Sequence, residues 1–193
     1  MNLIDLVKQN RSYRKFYQQV PVEKEHLRLM IEAARLSPSS RNIQPLKYYI
    51  SDRPELNEKI FPALAWAGYL TDWAGPAEGE RPAAYIIQLL DKNISATASC
   101  DPGITAQSIL LQATELGYGG CIIASVKREA VQKLLHLPDN LEILHVIALG
   151  KPREQVVIDD LSENEYKYWR ETDGTHHVPK RTLDEIILNK NTK

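Results

Sequence analysis

The apolar residues of this chain follow two spacings, one typical of helices and one typical of buried strands. Near the amino terminus, Leu3, Leu6 and Val7 recur at the spacing of one helix face. The run Ala83–Leu90 is almost continuously apolar instead, which is typical of a strand buried on both faces. The predicted helices cover residues 2–10, 20–38, 53–64, 63–73, 101–116, 128–136, 163–170 and 183–188.

Strands are predicted at residues 47–50, 83–90, 120–125 and 141–149. Because helices and strands mix along the chain, the pattern predicts an α+β or α/β fold with one sheet covered by helices. No repeat and no linker rich in Gly, Ser or Pro divides the chain, so residues 1–193 are expected to form a single domain. The segment 151–193 has few apolar residues, and we expect it to extend over the core or over a second subunit.

The clearest helix boundaries belong to the predicted helix at 101–116. Asp101 is a favourable N-cap residue, and Pro102 is favourable at the first helical position. Gly117 follows the last apolar residue and suits a helix end. The strand predicted at 120–125 follows directly.

The composition excludes several classes of function. The chain has 193 residues, with 24 Lys and Arg against 25 Asp and Glu, and a net charge of −1. A nucleic-acid or membrane-surface protein would carry a basic excess, so we expect neither partner. No apolar run approaches the roughly 18 residues that cross a bilayer, and residues 1–8 lack the pattern of a signal peptide. We therefore expect a cytoplasmic protein whose two cysteines, Cys100 and Cys121, are reduced.

Familiar catalytic and cofactor motifs are absent or stand in the wrong context. Residues 117–120, Gly-Tyr-Gly-Gly, end a helix and open a strand, whereas a dinucleotide fingerprint joins a strand to the next helix. His176 and His177 point oppositely in an extended segment and have no companion ligands at zinc spacing, so we expect no metal. Ser39 and Ser40 lack the flanking glycines of a hydrolase nucleophile.

Cations and polar side chains concentrate in two segments. Residues 11–16, Arg-Ser-Tyr-Arg-Lys-Phe, place two guanidinium groups close together, and guanidinium binds phosphate through paired, charge-assisted hydrogen bonds. Residues 38–45, Pro-Ser-Ser-Arg-Asn-Ile-Gln-Pro, add neutral donors and acceptors for a sugar or a heterocycle edge. Together they predict a pocket for a phosphorylated cofactor that contains a ring. A solvated turn after a helix is the competing interpretation of the first segment.

These segments, taken in order, resemble the motifs of the nitroreductase family of FMN-dependent oxidoreductases. The similar segments are residues 10–16, 32–45, 101–107, 116–123, 148–152 and 179–181. They are distributed over most of the chain. Residues 53–82 and 153–175 lie where members of the family differ.

The resemblance implies an α+β fold, a three-layer sandwich in which helices flank a mixed β-sheet. It also implies an intertwined homodimer with two FMN sites at the subunit interface. Arg11 and Ser12 would bind the phosphate and ribityl end of FMN, together with Lys180 or Arg181. Arg14 would lie near the pyrimidine edge of the flavin.

Two further groups of residues are implied to contact the flavin ring. A loop from the other subunit would approach it through Pro38, Ser39, Ser40, Asn42 and Gln44. The end of a strand would run along the isoalloxazine, with a backbone N–H facing N5, through Ile122, Ile123, Ala124 and Ser125. The chain departs from the usual family pattern at Asn10, where a basic residue is common, and at Ala124-Ser125, where glycine is common.

The activity implied by the resemblance is reduction of electron-poor acceptors, such as nitroaromatics or quinones, by NAD(P)H. Hydride would pass through flavin N5 in a ping-pong cycle, and no side chain is expected to act as a dedicated acid or base. Two alternatives stay open. One is a flavoenzyme of other chemistry, such as a dehydrogenase, a dehalogenase or a flavin-fragmenting enzyme. The other is a non-catalytic, regulatory flavin-binding protein.

Overall fold

The structure of the chain is a computed structural model that describes residues 2–162 and 165–189. The chain divides into two compact units. One consists of Met1–Trp66 and Ala74–Arg153, and the other of Ala67–Trp73 and Glu154–Lys193. All of the segments predicted to bind a cofactor lie in the first unit, except Lys180 and Arg181.

The first unit is built on a sheet whose four strands are β1 (Leu46–Ser51), β2 (Ala84–Asp91), β3 (Gly119–Ile123) and β4 (Leu141–Gly150). Their order across the sheet is β1-β2-β4-β3, and each neighbouring pair is antiparallel. The α+β class is therefore confirmed. Parallel and antiparallel pairs occur together in the smaller sheet of the second unit, whereas the described pairs of this sheet are all antiparallel.

Helices cover one another and the sheet in this unit. Their bounds are α1 (Leu3–Gln9), α2 (Lys24–Leu36), α3 (Pro54–Ile60), α4 (Asp101–Glu115) and α5 (Arg128–Leu134). The apolar stripes of α2 and α4 meet in one buried cluster, where Leu27 and Met30 pack with Ile109 and with Ile147 of β4. Complete burial of each such side chain contributes roughly 1.5–3 kcal/mol. This core fixes α4 against α2 and the sheet.

The second unit contains a smaller sheet with strands β5 (Val156–Asp160), β6 (Trp169–Arg170) and β7 (His176–Lys180), in the order β5-β7-β6. β7 pairs parallel to β5 and antiparallel to β6. The Arg170 side chain is only partly exposed, and it donates from Nη2 to Glu154 Oε2 (2.8 Å) and lies over the ring of Trp73 (4.5 Å). A short helix, α6 (Leu183–Ile186), follows with a complete capping box.

Two predicted helices are wrong. Residues 61–63 form a single 3-10 turn, after which Leu64 becomes extended and bridges to Val126, so the helix predicted at 63–73 does not form. In the helix predicted at 163–170, residues 163–164 lie outside the described part, and Trp169–Arg170 form β6. In both places the formation of strand pairs overrides a helical sequence pattern.

None of the helices in the described part of the chain combines the length and the apolar character that crossing a membrane would require.

Candidate functional site

The segment Arg11–Arg14 lies against the outer edge of β3. Ser12 forms a parallel bridge with Gly120, and the Tyr13 N–H donates to the Gly120 carbonyl (3.0 Å). In the described residues, β3 is the last strand of its sheet, so one of its edges has no neighbouring strand. The segment Arg11–Arg14 covers only the beginning of that edge, at Gly120. Two segments predicted to bind the same cofactor are thereby brought together.

Arg11 is half-buried at this junction. Its Nη2 donates to the Val7 carbonyl at the end of α1 (2.8 Å). Its Nε is buried and has no hydrogen-bond partner within residues 2–162 and 165–189. Burial lowers the pKa of Arg11, and Tyr13 partly offsets this effect, but a guanidinium remains charged in proteins. A partly buried cation with an unused donor is well suited to bind an anion such as phosphate.

The neighbours of Arg11 are arranged differently. Ser12 is exposed, and Arg14 donates from Nη1 to the Ser12 carbonyl (3.1 Å), which holds its side chain over the segment. Asn10, where family members commonly have a cation, is only 8% exposed and ends α1, its N–H donating to the Leu6 carbonyl (2.9 Å). The charge of the segment therefore comes from Arg11 and Arg14.

The second half of β3 leaves part of its outer edge open, although the Ala124 carbonyl accepts the Val126 N–H (3.1 Å). The Gly120 carbonyl points outward to Tyr13, and residues alternate along a strand. The backbone groups of Ile122 and Ala124 therefore face the same outer edge, and the Ala124 N–H donates to no other described residue. The side chain of Ile122 is 42% exposed, whereas that of Ile123 is buried, so Ile123 offers a ligand only its backbone. Ala124 and Ser125 are exposed.

Close packing at the start of β3 requires glycine. A Cβ on Gly120 would lie 2.2 Å from the Ala148 carbonyl oxygen, and one on Gly119 would lie 2.4 Å from the Tyr13 ring. Real Cβ atoms do not approach other atoms so closely. These two glycines therefore allow residues 12–13 and β4 to approach β3 closely.

The loop that carries Pro38 to Gln44 is attached to α4 through Asp101. The Ser39 hydroxyl donates to Asp101 Oδ2 (2.6 Å), and the Ser40 N–H donates to Oδ1 (2.8 Å). The same Ser39 hydroxyl accepts the Gln44 N–H (2.9 Å). Asp101 was expected to be the N-cap of α4, but it is the first helical residue and Cys100 is the N-cap. That expectation is wrong because the carboxylate binds the donors of the loop.

The backbone of this loop is unusual. Arg41 (φ 53°), Asn42 (φ 56°) and Gln44 (φ 54°) all adopt the left-handed conformation. This conformation costs roughly 1–2 kcal/mol for an ordinary residue and less for Asn. Gln44 Nε2 also donates to the Asn42 carbonyl (3.2 Å) and to Asn42 Oδ1 (3.1 Å). Strained backbone that the surroundings enforce is concentrated at functional sites.

A cavity of about 310 Å³ lies beside the loop, between α2, β1 and the first turn of α4. Pro38, Ser39 and Gln44 form one of its walls, and Lys47 and Tyr48 of β1 form another. Burial raises the pKa of the Tyr48 phenol, while hydrogen bonds to Thr105 and Gln88 act in the opposite direction. The volume is at the lower end of the range for small-molecule sites.

A buried polar network connects α4 to β4. Gln88, which is fully buried in β2, donates from Nε2 to Thr105 Oγ1 (2.8 Å) and to the Pro102 carbonyl (3.1 Å). Its Oε1 lies 3.0 Å from His145 Nδ1. Because the amide nitrogen of Gln88 is occupied by acceptors, Oε1 must accept, and His145 therefore carries its proton on Nδ1.

Arg128 connects the ends of β3 and β4. Its Nη2 donates to the Ala124 carbonyl (3.1 Å), and its Nε donates to the Ile143 carbonyl (2.9 Å). Burial lowers the pKa of His145, and the positive charge of Arg128 lowers it further. This part of the site is therefore arranged around a neutral imidazole.

Stability is expected to decrease on acidification because of His145. The pKa of His145 is lower in the folded chain than in the unfolded chain, so the unfolded chain binds a proton more readily. The free energy of unfolding therefore decreases as the pH falls below about 6.5. We expect the urea midpoint of the chain to fall between pH 7.5 and pH 5.5, and His145→Gln to reduce that fall. Identical pH dependence in both proteins would contradict this assignment.

Lys180 and Arg181 lie at the end of β7 in the second unit. The Leu161 N–H donates to the Lys180 carbonyl (2.8 Å), and Arg181 Nη1 donates to Glu185 Oε1 (3.3 Å). Their predicted role at the phosphate stays a prediction. His177 Nδ1 lies 2.9 Å from Asp159 Oδ2, and no group of three or more His, Cys, Asp or Glu residues suited to a metal occurs in the described ranges.

Two residues of the site were not identified from the sequence. Asp101 had a recognisable signal, an acidic residue at a helix start, but this signal was interpreted as a cap. Arg128 had none, since its contacts join residues that are distant along the chain.

The chain is similar to known proteins in both sequence and fold. The sequence model described as "Nitroreductase family" matches residues 7–151. A curated relative, the NADPH-flavin oxidoreductase of Vibrio harveyi, is 29% identical over 170 residues, which cover 78% of this chain and 66% of the relative.

Solved structures extend the similarity to the fold. A nitroreductase family protein from Clostridium novyi NT has a TM-score of 0.68 and 27% identity, with 79% of this chain and 88% of that chain covered. An FMN-dependent nitroreductase from Clostridium difficile R20291 has a TM-score of 0.65 and 24% identity, with 99% and 100% covered. The second similarity concerns the fold alone.

Proposed function

Because the chain belongs to the nitroreductase family, we propose that it is an FMN-dependent oxidoreductase that uses NAD(P)H to reduce electron-poor acceptors such as nitroaromatics or quinones. The name of the similar NADPH-flavin oxidoreductase supports the choice of a flavin and a nicotinamide as cofactors. One observation carries the proposal. The cation of Arg11 lies beside the start of β3, at one end of the open edge of this strand.

The residues of this chain fit FMN. The buried, unpartnered Nε of Arg11 matches an anionic phosphate. Ser12 is exposed beside it and would hold the ribityl chain. Further along the same edge, the Ala124 N–H has no partner among the described residues and would donate to the flavin ring at N5. Ile122 and Ser125 would cover the ring on this side.

FMN supplies the hydride chemistry when it is bound, because its ring accepts and releases hydride at N5. The protein positions and tunes it. Arg14 would stabilise negative charge on the pyrimidine edge, and a cation at 4 Å contributes about 4 kcal/mol at an effective dielectric constant near 20. No side chain needs to act as an acid or base, since the open edge leaves water as a source of protons.

We further propose that the functional form is a homodimer in which each flavin contacts both chains. Exposed apolar residues on α1 support a subunit contact beside Arg11, namely Leu3 (66% exposed) and Ile4 (61% exposed). The second chain would contribute the loop residues Pro38, Ser39, Ser40, Asn42 and Gln44. In this proposal, residues 151–193 extend over the partner subunit.

Purification and rapid mixing test the function. We expect the protein to be yellow, or to become so after incubation with FMN, and to bind FMN in an equimolar ratio. Anaerobic mixing with NADPH or NADH should bleach the flavin absorbance, and a nitroaromatic or a quinone should restore it.

Each contrary outcome has a distinct meaning. A colourless protein that FMN does not reconstitute would overturn the proposal. Bound FMN without bleaching would indicate a regulatory flavin-binding protein instead. Bleaching without reoxidation by either acceptor would indicate flavin chemistry of another kind.

A further inference from the structure

The loop proposed to reach the flavin is attached to the rest of its own chain through one carboxylate. Residues 39–44 are joined to each other by local hydrogen bonds, such as Asn42 N–H to the Ser39 carbonyl (2.9 Å). Among the hydrogen bonds of the described residues, only the two accepted by Asp101 connect these six residues to another element. The conformation of the loop therefore depends on Asp101.

Asp101 is itself held firmly. It is 2% exposed, and Thr105 Oγ1 donates to its backbone carbonyl (2.9 Å). Gln88 donates to Thr105 and to the Pro102 carbonyl, so the first turn of α4 is tied to the centre of the sheet. A loop attached here shares the rigidity of the core.

The backbone of the loop needs such an attachment. Three of its residues have left-handed φ angles, and two of them, Arg41 and Gln44, are residue types that rarely adopt this conformation. Backbone of this kind persists only when the surroundings over-determine it. Ser39 transmits the constraint, because its hydroxyl donates to Asp101 and accepts the Gln44 N–H at the far end of the loop.

We propose that Asp101 is a positioning residue for the flavin, which fixes residues 39–44, through Ser39 and Ser40, in the shape that they present to the FMN of the neighbouring subunit. The inference rests on the proposed function, since it assigns the loop to FMN. It changes the role of Ser39. The hydroxyl of Ser39 holds the loop together, and the flavin is contacted mainly by the residues that it positions, Asn42 and Gln44.

The chemistry of the contact predicts a graded series of variants. In Asp101→Asn, the side-chain oxygen would still accept the Ser40 N–H, and the new amide could donate to Ser39 Oγ, which has two lone pairs. Asp101→Ala would leave both loop donors without an acceptor. We expect Asp101→Asn to weaken FMN binding about threefold and Asp101→Ala about thirtyfold, because hydrogen bonds to a charged group are the stronger kind.

Ser39→Ala and its matched control isolate the link. Ser39→Ala removes the contacts to both Asp101 and Gln44, and we expect about a tenfold loss of FMN affinity. Ser37→Ala is the control, since the Ser37 hydroxyl is equally half-buried but bonds to the Ala33 carbonyl (2.9 Å) and to Ser108. It should leave FMN affinity unchanged. The double variant Asp101→Ala with Ser39→Ala should lose less FMN affinity than the product of the two single losses, because both single variants remove the same Ser39–Asp101 contact.

A measurement without FMN tests the positioning directly. Arg41 is exposed at the centre of the loop, so trypsin can cleave after it once the loop loosens. In the apoprotein, Asp101→Ala and Ser39→Ala should speed cleavage after Arg41 at least about fivefold over the wild type, as measured by mass spectrometry, and Ser37→Ala should not.

The outcomes separate this inference from the proposed function. If the wild type binds no FMN but the proteolysis series follows the expected order, the function is wrong and the attachment of the loop by Asp101 stands. If the wild type binds FMN and Asp101→Ala binds it equally well, with unchanged cleavage after Arg41, the positioning role is overturned.

Discussion

Replacement of Gly120 by alanine is expected to lower the free energy of unfolding by about 3 kcal/mol or more, because overpacking of a fixed backbone costs typically 1–3 kcal/mol and occasionally exceeds that range. The added methyl group would lie 2.2 Å from the Ala148 carbonyl oxygen and 3.0 Å from Leu110 and Leu149. A backbone oxygen inside the sheet cannot move aside as the end of a side chain can. β3 would have to separate from β4.

Gly103→Ala is the matched control for this prediction. Among the described residues, no atom outside the adjoining residues and the nearby backbone of α4 lies within 4 Å of the Cβ that this substitution adds, and residue 103 lies within α4. Alanine is better than glycine in a helix by roughly 0.5–1 kcal/mol, so a slight gain in stability is expected. Urea unfolding at 25 °C measures both effects. A Gly120→Ala protein as stable as the wild type would show that β3 does not lie as close to β4 as described.

Removal of the Arg11 guanidinium is expected to reduce FMN affinity about thirtyfold. A hydrogen bond to a charged partner is worth roughly 1.5–3 kcal/mol, which corresponds to a tenfold to hundredfold change in the dissociation constant. Arg11→Ala also loses the contact to the Val7 carbonyl, but that bond is exposed and should contribute little to folding. Titration of the apoprotein with FMN, followed by the quenching of flavin fluorescence, measures the change.

The comparison variants for Arg11 lie on the same chain. Arg28→Ala removes an equal charge from an exposed position on α2 and should leave the affinity unchanged. Arg14→Ala should weaken binding less than Arg11→Ala, but it should lower the midpoint potential of the bound flavin, because a cation near the pyrimidine edge favours the reduced, more negative form. Equal affinity in Arg11→Ala and wild type would remove Arg11 from the phosphate site.

The fold of the first unit could be predicted largely from its apolar spacing. The run in β2 and the apolar stripes of α2 and α4 correspond to a buried sheet and two helices, because burial determines both the pattern and the element. The predicted helix at 63–73 failed where the pattern was weaker. Leu64 is extended to bridge Val126, and Ala67 has a φ of 38°, which a helix does not allow.

The small sheet of the second unit had no clear signal. β7 contains Pro179, which is unusual for the middle strand of three. It is tolerated because β6 pairs only with His176 and His177, so Pro179 lacks a neighbour on that side among the described residues. The hydrogen bonds that give β7 its place come from β5, which is distant along the chain. A local pattern cannot represent such pairing.

The candidate site, like the fold, could be predicted from the sequence only in part. The cations and the polar loop were visible as composition, since both must be polar to bind a cofactor. Their arrangement was not, because it depends on contacts across long sequence separations. Asp101 and Ser39 are 62 residues apart along the chain, and capping rules consider only the helix that contains Asp101.

The open half of the β3 edge has a consequence for the protein before it acquires its cofactor. An unpaired strand edge is a template for the backbone of another molecule, and exposed edges promote aggregation. Residues 12–13 protect the edge only as far as Gly120, and the apolar, exposed Ile122 follows. Under the proposed function, the flavin and the second subunit would cover what remains. FMN would then prevent aggregation through this edge in addition to its redox role. Cells that lack flavin would accumulate the chain in insoluble form.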